Sequence, residues 1–178
     1  MEQKVNPWKS NLTNGLILAL VGIVYSLIMY FLDLSLNKTQ GYVFVIIQIA
    51  ILYFLLKSYR DNFMHGQITY GESVGAGVII SLYYVIIMAV FTYILYKVID
   101  PGLVAKQLGQ AEDVMRAKGN LTEAQIETGM KFTERIMKPG IMTISGLFIG
   151  MIWGTVLSLI ISIFIKKEGN PLIDAPAN

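Results

Sequence analysis

The stretch from Met142 to Ile165 contains 24 residues and no charged side chain. A helix of this length can cross a hydrocarbon core about 30 Å thick. A small residue occurs at every fourth position of the stretch: Gly146, Gly150, Gly154, Ser158 and Ser162. Residues four apart share one face of a helix, and small residues let helix backbones approach closely in lipid. The pattern therefore predicts a transmembrane helix that packs closely against another helix.

Three more apolar segments precede this one, each bounded by charged or turn residues. Hydrophobic residues make up 54% of the 178 residues and charged residues only 15%, well below the charged share of a usual soluble domain. We therefore predict an all-α fold, a four-span transmembrane helical bundle that forms a single membrane domain over residues 1–178. The predicted spans are approximately residues 14–32, 42–56, 73–98 and 141–165.

The composition excludes several kinds of chemistry. The chain has no cysteine, which rules out disulfides, thiolate catalysis, iron–sulfur clusters and cysteine zinc sites. The net charge is only +2, and the 14 basic residues are spread over both ends and every loop, so no basic patch for nucleic acid exists. No Ser/His/Asp set, phosphate-binding loop or dinucleotide fingerprint is present. We predict a protein that is not an enzyme and has no cofactor.

The only sizeable polar region lies between the third and fourth spans, at residues 100–138. Apolar residues from Val104 to Met115 follow a helical period, and Thr122 with Gln125 fits a capping box that begins a second helix. Six acidic and six basic residues balance each other there. This balance favours a solvated, extramembrane amphipathic helical hairpin over an anchor to anionic lipid. The polar tail at residues 166–178 contains two prolines, and we expect it to be disordered.

Small residues recur at helical spacing in two other spans. In the third span they are Gly71, Gly75 and Gly77, with Ser73 and Ser81, and in the first span they are Gly15, Ala19 and Gly22, with Ser26. We interpret these faces as packing within a compact bundle, because close backbone contact is what holds helices together in lipid. Homodimerisation and a sliding contact in a transporter are the functional alternatives.

Five polar residues are candidate functional residues: Gln48, Arg60, Asp61, His65 and Glu72. A carboxylate at membrane depth, such as that of Glu72, is a functional candidate by default, but a negative charge also favours the start of a helix. His65 is the only histidine, and with Asp61 and Glu72 it suggests a metal or proton-relay site. The irregular spacing favours a solvated loop histidine and no metal. Gln48 would line a polar path or hydrogen-bond to another helix.

Four spans place both termini on the same side of the membrane. On that side lysine and arginine lie densely against the span ends, at Lys9, Lys57, Arg60 and Lys166-Lys167, although the other side has more basic residues in total. Such residues mark the cytoplasmic side of a span. We therefore expect cytoplasmic termini.

Several motifs together resemble one known family. They are Tyr59-Arg60-Asp61, Gly66, Ile68-Thr69-Tyr70-Gly71-Glu72, Gly77, Asp100-Pro101, Leu121-Thr122-Glu123-Ala124-Gln125-Ile126 and the glycine-rich last span closed by Lys166-Lys167. The chain resembles, over nearly its whole length, the bacterial membrane-protein family called domain of unknown function 4199. The resemblance implies a four-span protein in the inner membrane of Gram-negative bacteria. The family has no established activity, so it assigns no functional residue. Its genes sometimes lie beside a polyprenyl-phosphate glycosyltransferase gene, which implies a link to the cell envelope.

Two functional hypotheses follow. The first is a structural or partner subunit of an envelope-related complex, which contacts the lipid bilayer and a membrane-protein partner or a second copy of itself. The small-residue faces and the charged helical region motivate it. The rival is a small transporter or lipid-handling protein linked to polyprenyl-phosphate sugar metabolism, with Glu72, Gln48 and the deeper tyrosines lining a path between spans.

Overall fold

The computed structural model describes residues 5–168, and this part of the chain is all-helical. The helices are α1 (Pro7–Phe31), α2 (Lys38–Phe63), α3 (Tyr70–Ile94), a π-helical turn (Leu95–Ile99), α4 (Gly102–Ala117), α5 (Glu123–Ile136) and α6 (Pro139–Ile165). The described residues form no strand, and their one β-type pairing is an isolated antiparallel bridge between Ile68 and Lys167. Residues 169–178 of the predicted disordered tail lie outside the described residues.

Four helices are long and apolar enough to cross a membrane: α1, α2, α3 with its π-helical turn, and α6. Many of their large apolar side chains are exposed, including Leu20, Ile46, Phe148 and Phe164. An exposed apolar surface of this extent is unusual for a soluble protein and suits contact with lipid. These features suggest a multi-pass membrane protein.

Helix α1 begins earlier than the apolar pattern predicted. The Asn6 side chain accepts hydrogen bonds from the backbone amides of Trp8 and Lys9, at 3.0 and 3.4 Å, and Pro7 takes the first helical position. Asparagine as a cap followed by proline is a strong helix start. The polar residues that follow also lie inside the helix, where Asn14 donates a hydrogen bond to Asn11 at 3.1 Å.

Helix α2 extends beyond the predicted span in both directions, from Lys38 to Phe63. The Asn37 side chain caps its start by accepting a hydrogen bond from the Thr39 amide at 2.9 Å. Arg60 and Asp61, which were expected to lie after the helix, form an ion pair of 2.8 Å on its last turns. Charged side chains can stay in a helix at its end, where they pair with each other or reach water. The loop between α2 and α3 is correspondingly short.

Helix α3 begins at Tyr70, before the predicted Ser73, and its π-helical turn continues to Ile99. Helix α6 begins at Pro139, and proline suits the first turn of a helix because its missing amide would be unpaired there anyway.

The predicted tail at residues 166–178 is structured at its start: the backbones of Ile68 and Lys167 exchange two hydrogen bonds of 2.9 Å.

The chain divides into two compact units, and the single membrane domain stays a prediction. The first comprises the described residues of Met1–Val85 with those of Gly150–Asn178, and the second is Ile86–Ile149. The first unit holds the buried apolar cluster. Its members come from α1, α2, the loop after α2, α3 and α6: Leu18, Leu52, Leu55, Leu56, Tyr59, Ile68, Ala76, Ile80, Leu157, Ile161 and Ile165.

Small residues bring α3 and α6 together within the first unit. A Cβ added to Gly154 would lie 2.6 Å from the Ser81 hydroxyl oxygen, and a Cβ added to Gly77 would lie 2.8 Å from the Cβ of Ser158. A Cβ added to Gly150 would lie 2.6 Å from a methyl carbon of Val85. None of these distances leaves room for a side chain, so glycine is what permits this approach of the two helices.

Helix α1 approaches α3 in the same way. A Cβ on Gly15 would collide with the Cβ of Tyr83, whose hydroxyl donates a hydrogen bond of 3.3 Å to the Trp8 carbonyl. Ala19 and Gly22 are also buried on α1, and Ser162 is buried on α6. The predicted small-residue faces are thus buried at these positions.

Three glycines of the predicted faces have no such contact. A Cβ on Gly71, Gly75 or Gly146 would meet no atom of the described chain within 4 Å. The reason is geometric, since each step of four residues turns about 40° around a helix with 3.6 residues per turn. The small residues at the ends of such a row therefore no longer point toward the helix that the middle of the row contacts.

The second unit contains α4 and α5, which pack against each other. The Met115 sulfur lies 3.2 Å from where a Cβ on Gly129 would be. Gly119 ends the first of these helices in a left-handed conformation, with φ of 68°. The predicted capping box is confirmed, because Thr122 accepts a hydrogen bond from the Gln125 amide and Gln125 accepts one from the Thr122 amide.

Arg116 links the end of α4 to the start of α5. Its guanidinium pairs with Glu123 at 2.8 Å and with Glu112 at 2.9 Å. The hydrogen bond that Arg116 donates to Glu123, and then the one it donates to Glu112, raises the pKa of Arg116 above its ordinary value. All three side chains are well exposed, so the pairs fix geometry more than they add stability.

Candidate functional site

A pocket of about 610 Å³ opens in the first unit, where the start of α1, the end of α2 and the first turns of α3 meet. Its described lining residues are Val5, Pro7, Tyr59, Phe63, Met64, His65, Glu72, Gly75, Ala76 and Ile79. Most of these side chains are apolar, and the polar groups are a carboxylate, an imidazole and a phenol. The pocket size falls in the range of known small-molecule sites.

Glu72 lies in the first turn of α3 and is held by a second capping box. Its Oε2 accepts hydrogen bonds from the Thr69 amide at 2.9 Å and from the Thr69 hydroxyl at 2.8 Å. The Thr69 hydroxyl oxygen accepts a hydrogen bond from the Glu72 amide at 3.3 Å. Both hydrogen bonds that the carboxylate accepts from Thr69 use Oε2, so Oε1 takes no part in the cap. The cap therefore orients the carboxylate without occupying it fully.

His65 lies in the loop after α2, in a left-handed conformation with φ of 52°. Gly66 follows with φ of 79°, and its amide donates a hydrogen bond of 3.0 Å to the Arg60 carbonyl at the helix end. Left-handed backbone is uncommon for residues other than glycine, although histidine adopts it more readily than most. This turn places the exposed imidazole at the pocket, together with Glu72.

Tyr59 and Phe63 form the aromatic wall of the pocket. They lie one turn apart on α2, and their rings stack with centroids 5.8 Å apart. Tyr59 is almost fully buried, and its hydroxyl interacts with the side chain of Asn11 and lies near the charge of Glu72. The aromatic wall thus connects to the polar start of α1.

Comparison with known proteins adds one result. The family described as "protein of unknown function (DUF4199)" matches the chain over residues 13–167. That match covers most of the chain. The chain belongs to this family. No curated protein and no solved structure matches the DUF4199 chain.

The match confirms the resemblance found in the sequence motifs. It covers the pocket residues contributed by α2, the following loop and α3 of this DUF4199 protein. Val5 and Pro7 lie before residue 13, outside the matched range. Because the family has no assigned activity, the match assigns the chain to a family but does not indicate a reaction.

The other three candidate residues do not line the pocket of the DUF4199 chain. Arg60 pairs with Asp61 and donates a hydrogen bond of 3.2 Å to the Ile165 carbonyl. These contacts connect the end of α2 to the end of α6. Gln48 is buried in α2, eleven residues and therefore about 16 Å along the helix before Tyr59. The structure thus brings Glu72 and His65 together and places Arg60, Asp61 and Gln48 elsewhere.

No group of three or more metal-ligating side chains occurs among residues 5–168. Three buried serine hydroxyls, of Ser73, Ser81 and Ser162, have no hydrogen-bond partner within the same part of the chain. Their burial between helices reflects the small size of serine more than a polar network.

Sequence reasoning missed four residues that build the site: Thr69, Tyr59, Phe63 and Asn11. One had a readable signal, because Thr69 and Glu72 have the spacing of a capping box. Tyr59 and Phe63 are one turn apart, but that spacing alone is equally typical of an ordinary core face. Nothing local in the sequence links Asn11 to a residue of α2.

Proposed function

We propose that this DUF4199 protein is a non-enzymatic integral membrane protein that binds an amphipathic ligand in the pocket formed by α1, α2 and α3. The observation that supports the proposal most strongly is the lining of the pocket, which joins the Glu72 carboxylate and the His65 imidazole to a mainly apolar wall. A molecule with one polar end and one apolar end fits such a lining. This proposal belongs to the lipid-handling class of function.

The charge of the pocket favours a ligand with an ammonium group. The Oε1 atom of Glu72 can accept a charge-assisted hydrogen bond, which is stronger than a neutral one. The ring of Phe63, which is 40% exposed and stacks on Tyr59, adds an aromatic face that attracts a cation. A phosphate group alone would be repelled by the carboxylate, so a polyprenyl phosphate is a poorer fit than an aminophospholipid.

Glu72→Gln tests the charge and preserves the cap, because the amide oxygen can accept both hydrogen bonds from Thr69. We expect this variant to bind an aminophospholipid at least about tenfold less tightly, since a hydrogen bond to a charged group contributes about 1.5–3 kcal/mol. Native mass spectrometry would measure the retained lipid after purification in phosphatidylethanolamine and in phosphatidylglycerol.

Thr69→Ala is the matched control, because it removes only the hydroxyl bonds of the cap and keeps both the carboxylate and the hydrogen bond that orients it from the backbone amide of residue 69. Loss of the hydroxyl bonds costs about 1 kcal/mol of stability, but phosphatidylethanolamine should still be retained. If Glu72→Gln binds this lipid as tightly as the unaltered protein does, then Glu72 only caps α3 and the proposed function is wrong.

A second candidate function is a partner subunit of an envelope-related complex, either with another membrane protein or as a homo-oligomer. It is favoured by Gly146, where the backbone of α6 is open and no atom of the described chain lies within 4 Å of an added Cβ. A second helix could approach closely there. For both candidate functions we propose a location in the bacterial inner membrane, as the family resemblance implies, with cytoplasmic termini, which the distribution of basic residues near the spans supports.

Cysteine crosslinking tests the partner function directly, because the chain has no cysteine of its own. We expect Gly146→Cys to form a disulfide dimer, or an adduct with a partner cysteine introduced on a candidate helix, on oxidation in native membranes. The adjacent Ser145→Cys, about 100° around the helix, should crosslink less. Monomer alone from both variants, with no specific partner in mild detergent, would exclude this role.

A further inference from the structure

The outer face of α5 carries two exposed apolar side chains. Phe132 is 64% exposed and Ile136 is 42% exposed. They lie four residues apart and so occupy one face of the helix. Ile126 and Thr133 are buried on a neighbouring face. Phe132 and Ile136 are therefore apolar residues that packing within this unit leaves uncovered.

The end of α5 lies close in the chain to a predicted membrane span. Helix α5 ends at Ile136, and α6 begins at Pro139. Three residues of chain can reach at most about 11 Å. Phe132 and Ile136 therefore lie near the point where α6 enters the bilayer. Because they are this close to a membrane span, lipid is the partner most readily available to cover them.

The acidic side chains of α5 lie away from its exposed apolar face. With 100° per residue, Arg135 lies about 60° from Phe132, whereas Glu134 lies about 160° away. Glu127 is on the same side as Glu134, where it pairs with Lys131 at 2.7 Å. The apolar face thus has an arginine beside it and the acidic residues opposite, which is the arrangement of a helix that lies on an anionic membrane surface.

We infer that α5 lies along the surface of the lipid bilayer, with Phe132 and Ile136 inserted at the boundary of headgroups and acyl chains. Arg135 contacts lipid phosphate groups from the flank of the inserted face. Glu134 and Glu127 face water. The equal numbers of acidic and basic residues in the whole polar region conceal this arrangement, because Arg135 lies beside the apolar face whereas Glu127 and Glu134 lie on the far side, where Lys131 pairs with Glu127.

The cysteine-free chain permits a direct depth measurement. The single variant Phe132→Cys is labelled with a bimane fluorophore, and the protein is reconstituted in nanodiscs of phosphatidylcholine with phosphatidylglycerol. An inserted helix lies roughly 5–10 Å into the boundary region. We therefore expect strong quenching by lipids that carry a nitroxide near the top of the acyl chain, and weak quenching by aqueous iodide.

Glu134→Cys is the matched control on the opposite face of the same helix. It should show the reverse order, with at least about twofold stronger iodide quenching than position 132. Equal lipid quenching at both positions would overturn the inference. So would a label at position 132 that is shielded in native membranes but exposed in nanodiscs, because that result would identify a protein partner as the occupant.

Discussion

Gly154→Val should lower the melting temperature of the protein and reduce the amount of folded protein in a detergent extract. A Cβ at this position would lie 2.6 Å from the Ser81 hydroxyl oxygen, and valine adds two methyl groups beyond the Cβ. The contact is close to the backbone of both α3 and α6, so neither side chain can rotate away. We expect a cost at the upper end of the roughly 1–3 kcal/mol that overpacking produces, which corresponds to a fall in melting temperature of roughly 6–12 °C. Thermal unfolding followed by size-exclusion chromatography measures both effects.

Gly146→Val is the matched control on the same helix. It introduces the same side chain two turns earlier, where no atom of the described chain lies within 4 Å of an added Cβ. Its melting temperature should stay close to that of the unaltered protein. Equal destabilisation by the two substitutions would show that valine disturbs α6 itself, and that the contact with Ser81 is not what requires glycine.

These two glycines also show what the sequence could predict about helix packing. Four-residue spacing correctly pointed to close approach for Gly150 and Gly154 on α6 and for Gly77 on α3. It could not separate them from Gly146 or Gly71, because the sequence does not specify which helix lies beside each turn. Residues spaced four apart shift by about 40° around the helix at each step, and this shift determines which of them still face the neighbouring helix.

Helix ends were harder to predict than the apolar centres. The apolar pattern stops at Leu56, but α2 continues to Phe63, and Arg60 and Asp61 pair with each other on its last turns. At the start of α1, Asn6 and Pro7 carry a clear capping signal that hydropathy does not register. Hydropathy measures the part of a helix that suits lipid, whereas capping and ion pairs determine where the helix ends.

The pocket depends on contacts between distant parts of the chain. Both Glu72 and His65 were candidates from the sequence, but their meeting at one pocket requires the left-handed turn at His65 and Gly66. Asn11, on α1, contacts the hydroxyl of Tyr59 although the two residues are 48 positions apart in the chain. Such contacts depend on the register of helices against one another, which no local pattern encodes.

The loop that carries His65 is held from two directions. Ile68 is 2% exposed within the apolar cluster, and its backbone exchanges two hydrogen bonds with Lys167 after α6. Arg60 adds a hydrogen bond to the Ile165 carbonyl from the end of α2. The end of α6 therefore supports the loop, and through Thr69 it supports the cap that orients Glu72.

Ile68→Ala tests this support and should destabilise the protein by about 2–5 kcal/mol, the usual cost of truncating a buried isoleucine. Ile152→Ala is the matched control, because Ile152 is 68% exposed on α6 and its truncation leaves no cavity. We expect a lower melting temperature for the first variant only, together with faster hydrogen exchange of the amides from Met64 to Glu72. If the two variants unfold at the same temperature and the loop amides exchange at unchanged rates, Ile68 does not anchor the loop. In that case the position of His65 and the cap on Glu72 must depend on the turn itself.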